Sequence, residues 1–146
     1  MSALRLERIA GNDTGLEAAL TDAHLPTDDI EDDGRTFFKA FSSGDRIVGF
    51  SGLEHCGDHF LLRSVVVLPD HRGQRLGGAL VEQTLASLDC GGDVFLATTS
   101  AAPFFARLGF SEVLRDGVPA AVLATRQLSS ICPSSATIMR LIRPPT

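Results

Sequence analysis

The chain of 146 residues has neither tryptophan nor tyrosine, and its only aromatic rings besides histidine are nine phenylalanines. No phenol is therefore available to donate a proton. No apolar run reaches the ~18 residues that a membrane helix requires. No basic segment followed by an apolar one opens the sequence, so neither a membrane span nor a signal peptide is expected, and the cytoplasm is the expected compartment. Cysteine is scarce: Cys56, Cys90 and Cys132 are scattered and form no Cys-x-x-Cys pair, which excludes a disulfide framework. Basic residues are outnumbered, 13 against 18, for a net charge of −5. That balance argues against a nucleic-acid partner, because neutralising phosphates takes clustered Lys and Arg. Repeats and low-complexity tracts are also missing. What remains is an ordinary globular composition, 44% hydrophobic, expected to fold as one domain over 1–146.

The most informative stretch runs from Phe60 to Leu88. Phe60 to Leu68 is nearly unbroken apolar, with adjacent Val65, Val66 and Val67, and reads as a central strand buried on both faces. Pro69 ends it. From about Gln74, Leu76, Leu80, Val81, Leu85 and Leu88 recur at helical spacing. The turn between strand and helix is Arg72-Gly73-Gln74-Arg75-Leu76-Gly77-Gly78, rich in glycine and bearing two arginines. Unpaired amides and the positive end of the macrodipole make such a helix start an anion site. His71, Arg72 and Arg75 form a cationic spot on an acidic chain, which suits a small anion. No Walker sequence is present, and Gly73, Gly77 and Gly78 have the wrong intervals for a dinucleotide fingerprint.

The remaining elements follow in order. Leu4 to Arg8 alternates as an outer strand, and Asn12-Asp13-Thr14 caps a helix to about Ala23. The acidic run Thr27 to Asp33 reads as a solvated loop with one helical turn. Arg35–Phe41 and Arg46–Leu53 form a hairpin, and Gly57-Asp58 turns into the central strand. Asp93–Thr98 is a strand, a helix lies between Pro103 and Gly109, and Ser111–Leu114 is a short strand. A helix is expected from Pro119 to about Ser130 and a last strand over Thr137–Ile142. The order predicts an α/β fold, a mixed sheet of about seven strands with helices on both sides.

Arg72-Gly73-Gln74-Arg75-Leu76-Gly77 after a valine-rich strand resembles the pyrophosphate motif of the GNAT superfamily of N-acetyltransferases, with Arg75 where that family usually has glycine. Ala102-Pro103-Phe104-Phe105-Ala106-Arg107-Leu108-Gly109-Phe110 resembles the same family's aromatic-x-x-x-Gly-Phe element. The resemblance covers essentially the whole chain. It implies a GNAT fold, whose sheet is mostly antiparallel, and acetyl-CoA as cosubstrate, with the diphosphate over Gln74 to Gly78 and the pantetheine arm along Val65, Val66 and Val67. An amide near Val66 would bond the thioester carbonyl, and Thr98, Phe104 and Phe105 would line the cofactor cleft. Thr98-Thr99-Ser100-Ala101, Val118-Pro119, Thr125-Arg126-Gln127, Ile131 to Ser135 and Met139 resemble a bacterial subgroup. It is found with arsenic-resistance genes and is distantly similar to amino-acid N-acetyltransferases, which implies a small, amino-acid-like amine as acceptor.

An ammonium acceptor must lose a proton before it attacks. Glu54 is the first candidate base, set against a plain exposed carboxylate beside a hairpin; His55 is the second. Arg63 interrupts a buried strand, so it either meets an acidic partner or reaches a substrate carboxylate. Arg126 is either a substrate ligand or a surface residue. His55-Cys56-Gly57-Asp58-His59 matches no zinc pattern, and no metal is expected. Relatives protonate the departing thiolate with a tyrosine; here Phe104 and Phe105 occupy that region, and Cys132 or Ser134 could assist. Two rivals remain: a non-catalytic acyl-CoA sensor and a protein N-terminal acetyltransferase. The expected partner is a small-molecule amine, and a homodimer is admitted. Gly77→Glu, which adds bulk and negative charge at the anion site, is expected to abolish coenzyme binding while the fold survives. Unchanged affinity in calorimetry would overturn the assigned site.

Overall fold

In the first helix, Asp13 has extended geometry, φ −60° and ψ 125°, and its carboxylate accepts the Leu16 amide at 3.0 Å. Such a cap contributes about 1 kcal/mol. It starts α1 (Thr14–Asp22), which places Leu16 and Leu20 on one wholly buried stripe. In the computed structural model, which describes residues 4–25, 27, 29–31, 34–71, 76–88, 91–125, 128 and 136–143, ten further elements accompany α1. They are β1 (Arg5–Ile9), β2 (Arg35–Phe41), β3 (Ile47–Cys56), β4 (His59–Val67), α2 (Leu76–Ala86), β5 (Val94–Thr98), α3 (Ala102–Arg107), β6 (Ser111–Val113), α4 (Ala120–Leu123) and β7 (Thr137–Leu141).

The strands form one seven-stranded sheet in the order β1-β2-β3-β4-β5-β7-β6. β1 pairs antiparallel with β2, β5 and β6 pair antiparallel with β7, and β4 pairs parallel with β5. The expected mixed, mostly antiparallel sheet flanked by helices is the fold observed. β4 takes the middle place, as its apolar run requires. β3 extends to Cys56, three residues beyond the expected end at Leu53, because Gly57 at φ +62° and Asp58 close a two-residue hairpin.

The chain divides into two compact units. The first comprises residues 1–53 and 64–89. Within it Leu16 and Leu20 of α1 pack with Phe37, Phe50 and Val66, while Leu76 and Leu80 of α2 pack with Leu4, Ala40 and Val48. The acidic run departs from the solvated loop expected of it. Asp29 is wholly buried and 3.2 Å from Arg35 Nη2, and Ile30 joins the α1 cluster.

The second unit comprises residues 54–63 and 90–146. Leu61, Phe95 and Ile138 of the sheet pack there with Val118, Val122 and Leu128. Of the helix expected from Pro119 to about Ser130, the described residues give α4 over Ala120–Leu123 and a helical Leu128 further on. Ala124 caps α4, and the Thr125 hydroxyl donates to the Val122 carbonyl at 2.7 Å. Residues 126–127 and 129–135, with the assisting Cys132 and Ser134, lie outside the described residues.

Asp93, just before β5, ties three segments of the second unit together. Its carboxylate accepts from Arg140 Nε at 2.7 Å, from Arg140 Nη2, and from the Arg143 amide at 3.0 Å, while the Arg140 guanidinium lies 5.5 Å from the Phe95 ring. Burial alone would push the Asp93 carboxyl up, but the Arg143 amide and the Arg140 guanidinium outweigh it and hold the group below the usual carboxylate range. A depressed folded-state pKa means that the stabilisation is complete above the unfolded value, about 3.9, and is lost as pH falls through the folded one. Asp93→Asn is therefore expected to cost about 1–3 kcal/mol at neutral pH. Its melting temperature should depend less steeply on pH below about 4 than that of the parent; parallel acid limbs in thermal scans would refute this.

Candidate active site

Ser64 lies within β4 at φ +58°, in the left-handed region that a non-glycine residue seldom enters. The reason is a surplus residue. From Cys56 back to Val48 is eight steps along β3, yet from His59 to Leu68, whose amide donates to the Val48 carbonyl at 2.8 Å, is nine steps along β4. β4 thus carries one residue more than the strand it pairs with, a β-bulge, and Ser64 absorbs it.

The bulge decides which way the next peptide groups point. The Val66 carbonyl abuts Gly49 of β3, so closely that a Cβ on Gly49 would lie 2.3 Å from it. With the Leu68 amide also on β3, residues 66 and 68 turn their peptide groups toward that strand. Strand alternation then directs those of Val65 and Val67 to the opposite edge. The Val66 side chain is buried with Leu16, Phe37 and Phe50. The side chains of Val65 and Val67 pack on the cluster of Leu76 and Leu80. Regular pairing of β4 with β5 covers Phe60 with Val94 and Leu61 with Phe95.

At the start of α2, Leu76 is buried, Gly77 and Gly78 are half-buried, and no acidic side chain occupies the first turn. Two residues without Cβ and without negative charge suit the approach of a diphosphate to helix amides. Arg72, Gly73, Gln74 and Arg75 lie outside the described residues.

The second unit holds the other expected site residues. Glu54 is not an exposed carboxylate: it is 5% exposed within β3, and its Oε1 is 3.3 Å from Nη1 of Arg63, itself 4% exposed. Arg63 has met an acidic partner. His55 is exposed, and its Nε2 lies 2.8 Å from the Gly57 carbonyl. That oxygen can only accept, so Nε2 carries the proton, and the ring leans on Phe60 at 5.0 Å. Thr98 has a local duty, since its hydroxyl accepts the Ala101 amide at 3.0 Å on the way into α3. Phe104 packs edge-on against buried Phe105 at 4.9 Å, and Phe105 against Phe110 at 5.8 Å. Arg126 lies outside the described residues. Among the described residues no group of His, Cys, Asp and Glu could hold a metal, and no helix is long and apolar enough to cross a membrane. Ser64 escaped the sequence reading, although the polar pair Arg63-Ser64 in an apolar strand was a visible interruption.

Comparison with known proteins bears on the fold and the family. No curated protein matches. A GNAT-family acetyltransferase from Staphylococcus aureus Mu50 superimposes with a TM-score of 0.61 at 19% identity, over 94% of this chain and 98% of that one. A SpeG spermidine N-acetyltransferase F149G mutant from Vibrio cholerae gives 0.64 at 13% identity, over 94% and 92%. N-acetylglutamate synthase from Neisseria gonorrhoeae, solved with coenzyme A and L-arginine, gives 0.71 at 14% identity, over 97% of this chain but 34% of that larger one. At these identities the likeness shows the fold. The family model described as the acetyltransferase (GNAT) domain matches residues 33–112, more than half of the sequence. The chain belongs to the GNAT acetyltransferase domain family, whose cosubstrate is acetyl-CoA.

Proposed function

We propose that this protein transfers the acetyl group of acetyl-CoA to the amino group of a small, amino-acid-like substrate by direct attack. The observation that carries this reading is the bulge at Ser64, which turns the peptide groups of Val65 and Val67 away from β3. An extended pantetheine arm would run beside Val65 and Val67 and bond the Val65 peptide group as a further strand would. The Val65 amide, immediately after the bulge, would donate to the acyl oxygen as negative charge develops there. A fixed donor of this kind is commonly a large part of catalysis, and holding amine and thioester together supplies much of the rest. The first turn of α2, at Leu76, Gly77 and Gly78, would take the diphosphate together with Arg72, Gly73, Gln74 and Arg75.

Glu54 is the group we assign to accept the ammonium proton, with Arg63 fixing its carboxylate and His55 as the second choice. With Arg63 engaged by Glu54, Arg126 is the better candidate for a substrate carboxylate. Thr98, Phe104 and Phe105 remain assigned to the cofactor side. No phenol is needed for the leaving group: a thiol of pKa about 8.5 departs as the anion and takes its proton from water. An amino-acid-like acceptor is supported by the likeness to N-acetylglutamate synthase and by the motifs shared with the subgroup found beside arsenic-resistance genes. A small amine is supported by the spermidine enzyme.

The test is turnover. Acetyl-CoA incubated with the protein and a panel of amino acids, polyamines and peptides should release free thiol with a small amine. Coenzyme binding without thiol release would instead favour an acyl-CoA sensor, motivated by the missing tyrosine, and release with peptides alone a protein N-terminal acetyltransferase. Glu54→Gln should lower kcat by on the order of 10²-fold at an unchanged KM for acetyl-CoA, with folding checked by circular dichroism. His55→Ala should stay near the parent rate. The reverse pattern would pass the role of base to His55.

A further inference from the structure

Ser51 of β3 and Thr84 of α2 are wholly buried hydroxyls in an otherwise apolar contact of the first unit. Their oxygens are 2.6 Å apart, and Thr84 Oγ1 donates to the Leu80 carbonyl at 2.7 Å. Each hydroxyl has one proton. That of Thr84 is committed to Leu80, so Ser51 must be the donor to Thr84, and the hydrogen bonds run one way from Ser51 through Thr84 to Leu80. Two residues earlier on β3, Gly49 leaves room for the helix: a Cβ there would lie 3.3 Å from Leu80 Cδ2 as well as against the Val66 carbonyl. β3 thus offers a gap opposite Leu80 and a donor opposite Thr84, one helical turn apart. Apolar surfaces tolerate sliding, whereas a short directional bond between buried groups does not.

We propose that Ser51 and Thr84 are positioning residues for the coenzyme: they hold α2 at one height on β3, and so set the distance from its first turn to the backbone of Val65 and Val67. This rests on the reading that the first turn of α2 takes the diphosphate while β4 takes the pantetheine arm. One molecule must satisfy both places at once, so the spacing between them enters its affinity. A ligand that reaches only one place is indifferent to that spacing.

The experiment follows from that difference. Coenzyme A and ADP are titrated calorimetrically into the parent, Thr84→Val, which keeps the shape and removes both bonds, and Thr84→Ser, which keeps the hydroxyl. Ser51→Ala replaces Thr84→Val if the latter does not fold. Thr84→Val should bind coenzyme A about tenfold more weakly, with a similar rise in KM for acetyl-CoA and kcat within about twofold. Its affinity for ADP should match that of the parent, and Thr84→Ser should restore coenzyme A binding. Equal losses for both ligands, or none for either, would show a merely structural pair and overturn the proposal. A folded parent that binds ADP and coenzyme A equally well would overturn it too, since the two places would then not be spanned. A parent that binds neither would sink the diphosphate reading itself.

Discussion

One surplus residue in β4 governs the site. An antiparallel pair alternates strictly, so peptide groups that face the neighbouring strand and those that face away are fixed by parity. An inserted residue shifts that parity for everything beyond it. Ser64 bears the cost in a left-handed conformation, a strain of about 1–3 kcal/mol of the kind that functional sites tend to hold. In return, Val65 and Val67 present their backbone to the edge away from β3, while Val66 anchors the strand under α1. The strand is a core element through its side chains and, in the proposed reading, a binding element through its main chain.

Buried charge is the second theme. Asp29 with Arg35, Glu54 with Arg63, and Asp93 with Arg140 are ion pairs with at least one nearly buried partner. Pairs of this kind contribute little net stability, because desolvation offsets attraction, but they are selective: removing one partner strands the other. Of the three, only Asp93 and Arg140 are distant in sequence, 47 residues apart; the other two pairs close a local loop and a hairpin. Asp29 fixes the loop before β2, Glu54 and Arg63 bind the two strands of the hairpin, and Asp93 holds the end of β7 at the start of β5. The acidic composition therefore does more than solvate the surface.

Much of the fold was legible because periodicity and punctuation agreed. Asp13 before Leu16 and Leu20, Gly57-Asp58 between two apolar runs, and the valines ahead of Pro69 each pointed the same way locally and globally. What could not be read was decided by which polar side chains pair with one another, even at short separation in the chain. The burial of Asp29 depends on Arg35, and that of Glu54 on Arg63 across the hairpin. The site divides along the same line. Its position, at a valine strand followed by a glycine-rich helix start, was evident from the motif. The bulge at Ser64 was not, since it turns on a count of residues along two strands rather than on their chemistry.

The hydroxyl relay from β3 into α2 also bears on how the sequence can drift. Losing either Ser51 or Thr84 alone leaves the other with a dehydrated, half-satisfied oxygen, whereas exchanging both for apolar residues of matching shape is nearly neutral. The two positions, 33 residues apart, are thus energetically coupled, and a change at one alters what the other tolerates. Lineages that cross from the polar solution to the apolar one must pass through a less fit intermediate, or change both sites together.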